Sequence, residues 1–173
     1  MKFVAKSKHV KNGNIYIGVA IVVMVVLFIS SSQTYEQQSQ LSLLEKLLKN
    51  EPFKARLSQI SFSYAGSPVS IKESGYFSFV EFFIRKGAHF GTYFILGGSW
   101  FLGLQPRIKN MGLTALVSWL AATGYAGLDE FHQMLTGGRT PLFQDVMLDS
   151  MGALTAIVIC LVVMLIKRVR KGS

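Results

Sequence analysis

Charge is scarce in this sequence. Only 16% of its 173 residues are charged, half are hydrophobic and the mean hydropathy is +0.39. The apolar residues stand in long runs rather than at a surface-helix period, which excludes an ordinary soluble domain. The length allows one compact bundle at most, so the chain reads as an all-α integral membrane protein. Cysteine is nearly absent: Cys160 stands alone in the last apolar run, so no intrachain disulfide and no cysteine-based metal site can form. Among Val, Ile and Leu it reads as an inert residue of the core or lipid-facing surface. There is no H-E-x-x-H zinc motif, no G-x-S-x-G nucleophile elbow, no serine next to a histidine, and no internal repeat or low-complexity segment.

Acidic residues are fewer than basic ones, nine against eighteen, for a net charge of +9. Such an excess can signal nucleic-acid binding, but its distribution argues otherwise. Lys2, Lys6, Lys8 and Lys11 precede the first apolar run, and Lys167, Arg168, Arg170 and Lys171 follow the last. These are membrane-flank charges facing the cytoplasm and anionic lipid. No basic stripe with interleaved aromatics occurs, so the expected partner is the lipid bilayer and not nucleic acid.

The runs predict four spans. A basic cytoplasmic N-terminus, 1–14, leads into span one, 15–32, which has no charge and reaches the ~20 residues a bilayer requires. A signal peptide is the competing reading, given the basic start and Ser30 to Ser32; an uncleaved anchor is favoured because later spans hold the protein in the membrane anyway. Residues 33–75 are the least apolar and are expected outside the bilayer. There Leu41, Leu44 and Leu48 share one helical face, widened by Leu43 and Leu47, and Pro52 ends the helix. The alternation of Ile60 to Tyr64 and the Ala65-Gly66-Ser67-Pro68 turn signal allow a short hairpin with Val69 to Ile71. Span two covers 87–104, extended backward by Tyr76 to Ile84, span three 111–128, and span four 146–166, before a basic cytoplasmic tail, 167–173. Gly87 and Gly91, followed by Gly97-Gly98, predict close approach of another helix to span two. The basic N-terminus, the 105–110 connection and the C-terminus all fall on the cytoplasmic side if four spans leave both termini there. The fold expected is therefore a four-helix transmembrane bundle with an extracytoplasmic segment between spans one and two.

Most of the chemistry sits between two apolar runs, in Gly127 to Gly152. This stretch holds four of the nine acidic residues, Asp129, Glu130, Asp145 and Asp149, together with His132, Gln133 and Arg139. Ionisable residues beside membrane spans are costly to keep and point to function. Span two adds Arg85, His89 and Tyr93, which with Glu81 fall at four-residue spacing on one face, and Lys86 alongside. Asp145 and Asp149 lie near a helix N-terminus, which favours carboxylates, whereas Asp129 and Glu130 lie at a C-terminus, which does not. Arg85, Lys86 and Arg139 are the cations available to offset that, so cross-helix pairing linking three outer span ends is predicted. An arginine after Gly137-Gly138 suits a phosphate or carboxylate.

Three readings of this cluster stand. The leading one is a non-enzymatic outward-facing site whose cations contact the anionic headgroup of an amphiphile. Another is a membrane hydrolase or transferase acting on a lipid-phosphate substrate, with Glu130 or His132 as general base and Arg139 as phosphate clamp. The third is a structural clasp that only fixes helix register. His89, Asp129, Glu130, His132 and Asp145 offer enough N and O donors for a divalent ion, yet no ligand spacing accompanies them. No cofactor is expected and no metal site is assigned.

The motifs also carry a resemblance. R-K-x-x-H-F at 85–90 with Tyr93, D-E-x-H-Q at 129–133, G-R at 138–139 and D-x-x-x-D-x-x-G at 145–152 resemble the VanZ-like family over residues 76–166. Two departures accompany it. Gly137 stands where a proline often precedes the G-R, and Asp149 stands where asparagine is common. The resemblance implies a small polytopic protein of the bacterial cytoplasmic membrane. The family is named for a protein associated with teicoplanin resistance, and that drug acts outside the membrane on lipid-linked cell-wall precursors. An outward polar site and glycopeptide tolerance are what the resemblance leads one to expect.

Overall fold

The computed structural model of the chain describes residues 2–137 and 140–172. Its elements are α1 (Lys2–Ser31), α2 (Tyr35–Gln38), α3 (Leu41–Leu47), α4 (Lys54–Leu57), β1 (Ser61–Tyr64), β2 (Ser67–Ser70), α5 (Ile71–Ser74), α6 (Tyr76–Ile108), α7 (Met111–Gly137) and α8 (Phe143–Gly172). Three helices hold segments long and apolar enough to cross a membrane: Gly13–Ser31 in α1, Met111–Thr136 in α7 and Phe143–Arg170 in α8. The fourth long helix, α6, is not among them. Charges crowd its first turns, and glycine, histidine and tyrosine dilute the rest. It packs on all three others, most extensively on α8 and α1.

The four long helices alternate in direction. α6 and α8 run the same way, since Lys86 meets Asp145, His89 meets Asp149, and Gly97 lies against Ala153 further along. α1 runs against α6, because Gly13 meets Gly103 while the far end of α1 reaches the Arg85–Thr92 region. α7 runs against α8, with Trp119 and Thr123 on Ser150 and Glu130 at Leu142. One end of the bundle therefore gathers the polar cluster. The other gathers the start of α1, Arg107 of α6 with Lys109 just past its end, and the basic end of α8; there Arg107 donates to the Asn14 amide oxygen.

Small residues set the closeness of these helices. A Cβ on Gly152 would stand 2.4 Å from the Phe90 carbonyl oxygen, and one on Gly97 would stand 2.6 Å from the Ala153 Cα. Backbone there touches backbone, which only glycine allows. Gly87 and Gly91, predicted for this role, face open space. The core holds Ala20, Leu27, Tyr93, Leu96, Ala122, Ala126 and Ala153, one or more from each long helix. The outside is apolar instead: Val22 and Val25 of α1, Leu116 and Leu120 of α7, and Val158 and Val162 of α8 are all exposed. In water such a surface would drive aggregation; in a bilayer it is the solvated face.

α7 and α8 outrun the predicted spans. α7 continues past Leu128 to Gly137, its polar residues turned toward neighbouring elements, with Glu130 at Leu142 and His132 at Ser31. Asp129 and Gln133 continue the inward stripe begun by Ala122 and Ala126, while Leu128, Phe131 and Leu135 stay exposed on the outer side. Asp129, Glu130, His132 and Gln133 thus belong to the last turns of a helix.

Residues 33–75 form a cap at the polar end. β1 and β2 pair antiparallel, Ser61 opposite Ser70 through Tyr64 opposite Ser67. The Ala65-Gly66 turn has both φ positive, the geometry whose twist suits a two-residue hairpin. Leu44 of α3 is buried, Leu48 packs with Ile71, Tyr76 and Phe79, and Leu43 and Leu47 remain exposed. Buried Glu81 of α6 anchors this cap, accepting from the Gln40 backbone N–H at 2.5 Å and the Ser39 hydroxyl at 3.1 Å.

Candidate functional site

The polar end holds a cleft of about 440 Å³ between the hairpin, α6 and the α7–α8 connection. Arg85 and Lys86 of α6, Glu130 and Gln133 of α7, and Asp145 of α8 line it, with Phe82 and Val69 as apolar wall. Five predicted site residues from three helices therefore share one cavity. They meet because α6 and α8 run parallel with Lys86 level with Asp145, and because the last turns of α7 are level with the first turn of α8.

The pairing differs from the expectation in its details. Lys86 Nζ stands 2.5 Å from Asp145 Oδ1, and the Tyr64 hydroxyl donates to the same oxygen at 2.5 Å. The ammonium also sits over the Tyr64 ring at 4.8 Å and the Phe82 ring at 5.5 Å, so aromatic faces share its charge. Asp145 lies in the first turn of α8, where the helix dipole favours a carboxylate as well. Burial first, and then Asp145 next to it, push the Tyr64 hydroxyl well above the usual tyrosine range, so it stays a donor. Lys86 is thus committed to Asp145 rather than to Asp129 or Glu130. Glu130 is satisfied locally, accepting from the Leu142 backbone N–H at 2.7 Å and so holding the connection closed over α7. Arg85 donates to the Gln38 amide oxygen at 3.2 Å. Arg139 lies outside the described residues.

Beneath the cleft, in the helix interior, lies a second layer. Asp149 is 4% exposed and bonds His89 Nδ1 through Oδ2 at 3.3 Å; its Oδ1 has no partner among the described residues. Asp129, 5% exposed, takes the Gln133 amide through Oδ2 at 3.3 Å, and its Oδ1 has no hydrogen-bond partner among the described residues. Tyr93 is fully buried in the core, within electrostatic range of both carboxylates, and its hydroxyl likewise has no partner among the described residues. Two carboxylates and a phenol are held here with fewer hydrogen bonds than their oxygens can make. Among the described residues no three His, Cys, Asp or Glu side chains converge as a metal ion would need.

His132 is placed apart from this constellation. It faces α1, bonding the Ser31 hydroxyl at 2.8 Å and stacking on Phe28 with ring centroids 4.4 Å apart. With the Thr136 hydroxyl donating to the Ser31 carbonyl at 2.7 Å and Tyr125 to the Met24 carbonyl at 2.5 Å, it seams α1 to α7. Glu130 and His132, the two candidate general bases, do not share a pocket. Sequence reasoning missed Ser31, Gln38, Tyr64 and Glu81 as parts of the site. The first three reach it only through long-range packing, whereas Glu81 carried a signal: a carboxylate four residues before Arg85 on one helix face.

A helical membrane bundle with a charged cleft at one end and an unsaturated acidic layer beneath is what fold and site define. The sequence model of the VanZ/LLP1 family matches residues 16–165, and the chain belongs to that family. The match takes in most of α1 and the whole cap as well as the motif-bearing helices. No curated protein and no solved structure matches the chain.

Proposed function

We propose that the protein spans the bacterial cytoplasmic membrane four times, with both termini inside, and uses the outward cleft to hold the anionic headgroup of a cell-envelope amphiphile. The observation that carries this is the cleft itself, a concave surface built by three helices and the hairpin, where an anionic headgroup would meet Lys86 beside Asp145 and Arg85 beside Gln38. The charge distribution supports the orientation: the end opposite the cleft collects the basic flanks of α1, α6 and α8, as the positive-inside rule requires of a cytoplasmic face. α6 serves as the fourth span. Its less apolar composition is tolerable because its neighbours, not lipid, cover much of it.

Binding fits the geometry better than turnover does. His132 is turned to Ser31 on the α1 side, so the second candidate base does not join Glu130 in the cleft, and Glu130 itself already accepts from the Leu142 N–H. Holding a lipid-linked wall precursor at the outer leaflet would also connect this site to the phenotype of the family's namesake. The test is teicoplanin susceptibility of a sensitive Gram-positive host carrying wild type, Lys86→Ala, Glu130→Gln or empty vector at matched membrane abundance, with vancomycin as control. Wild type is expected to protect selectively against teicoplanin, and both variants to return the host to the susceptibility of the vector. A well-inserted wild type that protects no better than the vector would separate this protein from that phenotype.

A further inference from the structure

A second cavity, of about 370 Å³, lies on the other side of Arg85, between the end of α1, the short helix α2 and the middle of α6. Its chemistry is unlike that of the charged cleft. The upper wall is amide and hydroxyl: Gln33, Gln37, Gln38 and Gln40, with Ser30 and Ser39. Gln38 already donates to Ser30 and accepts from Arg85, the Gln37 oxygen accepts from the Thr34 N–H and the Ser39 hydroxyl donates to Glu81, so Gln33 and Gln40 supply the amides a ligand would meet. The lower wall is Val26, Leu27, Ala88 and Thr92, at the level of the apolar helix surfaces. No acidic residue lines it, and its ionisable groups are Arg85, turned to Gln38, and His89, turned to Asp149.

These walls suit a headgroup rich in neutral donors and acceptors. A primary amide offers two donors and an acceptor, the complement of a sugar hydroxyl, and carries no charge to be desolvated. A soluble sugar would have no use for the lower wall. Val26 is 57% exposed on the outer face of α1, so the cavity is continuous with the surface that meets acyl chains. A ligand with chains along Val26 and a hydroxyl-rich head among the glutamines satisfies both walls. Without a carboxylate the site gives a cationic head nothing to pair with. We infer that this cavity is a lateral binding site for an uncharged glycolipid of the outer leaflet, separate from the charged cleft and entered from the bilayer.

The experiment is native mass spectrometry of the purified full chain after reconstitution into nanodiscs holding equal amounts of diglucosyl diacylglycerol, phosphatidylglycerol and phosphatidylethanolamine. Wild type should release with one glycolipid bound in preference to either phospholipid. Gln33→Leu and Gln40→Leu should each lower that retention about fivefold, the worth of one net hydrogen bond. Both side chains are exposed, and Gln40 holds Glu81 through its backbone rather than its amide, so both variants are expected to fold. Preference for phosphatidylglycerol, no lipid retained, or equal glycolipid retention by wild type and both variants would overturn the inference. The charged cleft is read separately, since its own ligand is anionic and its own variant is Lys86→Ala.

Discussion

Gly152→Val is expected to cost the bundle about 3 kcal/mol or more, the upper part of the range for overpacking a filled interior. The clash is with backbone: a Cβ at 152 stands 2.4 Å from the Phe90 carbonyl oxygen and 3.3 Å from its Cα, and no side chain can swing away to make room. α8 must therefore retreat from α6. Because Asp149 is on α8 and His89 on α6, the same displacement breaks their bond at the interior layer, and further up it loosens Lys86 from Asp145. Gly87→Val is the control, since a Cβ there meets nothing within 4 Å. Thermal unfolding of the detergent-solubilised protein should fall steeply for the first substitution and hardly move for the second. Equal melting temperatures for Gly152→Val and wild type would mean that the two helices do not approach as described.

His89→Leu is expected to destabilise by about 2–3 kcal/mol, the cost of leaving a buried carboxylate without its partner. Asp149 is nearly sealed from solvent, and one of its oxygens already lacks a partner among the described residues, so the His89 imidazole is the neighbour that hydrogen-bonds the other. Asp149→Asn removes the charge while keeping the shape. The double variant His89→Leu, Asp149→Asn should therefore be more stable than His89→Leu alone, with a coupling of about 1–2 kcal/mol between residues in direct contact. Chemical denaturation of the four proteins in one detergent measures it. Strictly additive effects would show that the His89–Asp149 pair carries no energy of its own.

Much of this arrangement could be read from the sequence, because membrane helices declare themselves by composition. The order of the long helices, the leucine face that buries Leu44, the hairpin around Ala65-Gly66, and the joint presence of Arg85, Lys86, Glu130, Gln133 and Asp145 all follow from runs, periods and turn residues. What was not legible depends on which side of a helix meets which neighbour. Of the glycines expected to let a helix approach, Gly97 makes that contact against Ala153, but Gly87 and Gly91 meet open space, and Gly152 makes a contact the spacing did not single out. The length of α7 was hidden by the charges of its last turns, which lower the mean hydropathy although Leu128, Phe131 and Leu135 keep the outer face apolar. The partners of the cations were decided by the cap: Tyr64 arrives over Lys86, and Gln38 at Arg85, from segments far away in sequence. His132 looked like part of the acidic cluster because it is two residues from Glu130, but a helix turns such neighbours to different sides.

Cysteine accessibility reports directly on whether the charged cleft faces outward. Cys160 is the sole native thiol and is half-buried within α8, which gives a quiet background for a membrane-impermeant maleimide. Thr140→Cys places a thiol at the cleft, and Lys167→Cys places one beyond the opposite end of the bundle. In intact cells the thiol at 140 should be labelled and the one at 167 should react only after the membrane is opened. Labelling at 167 with protection at 140 would put the cleft in the cytoplasm and contradict the account.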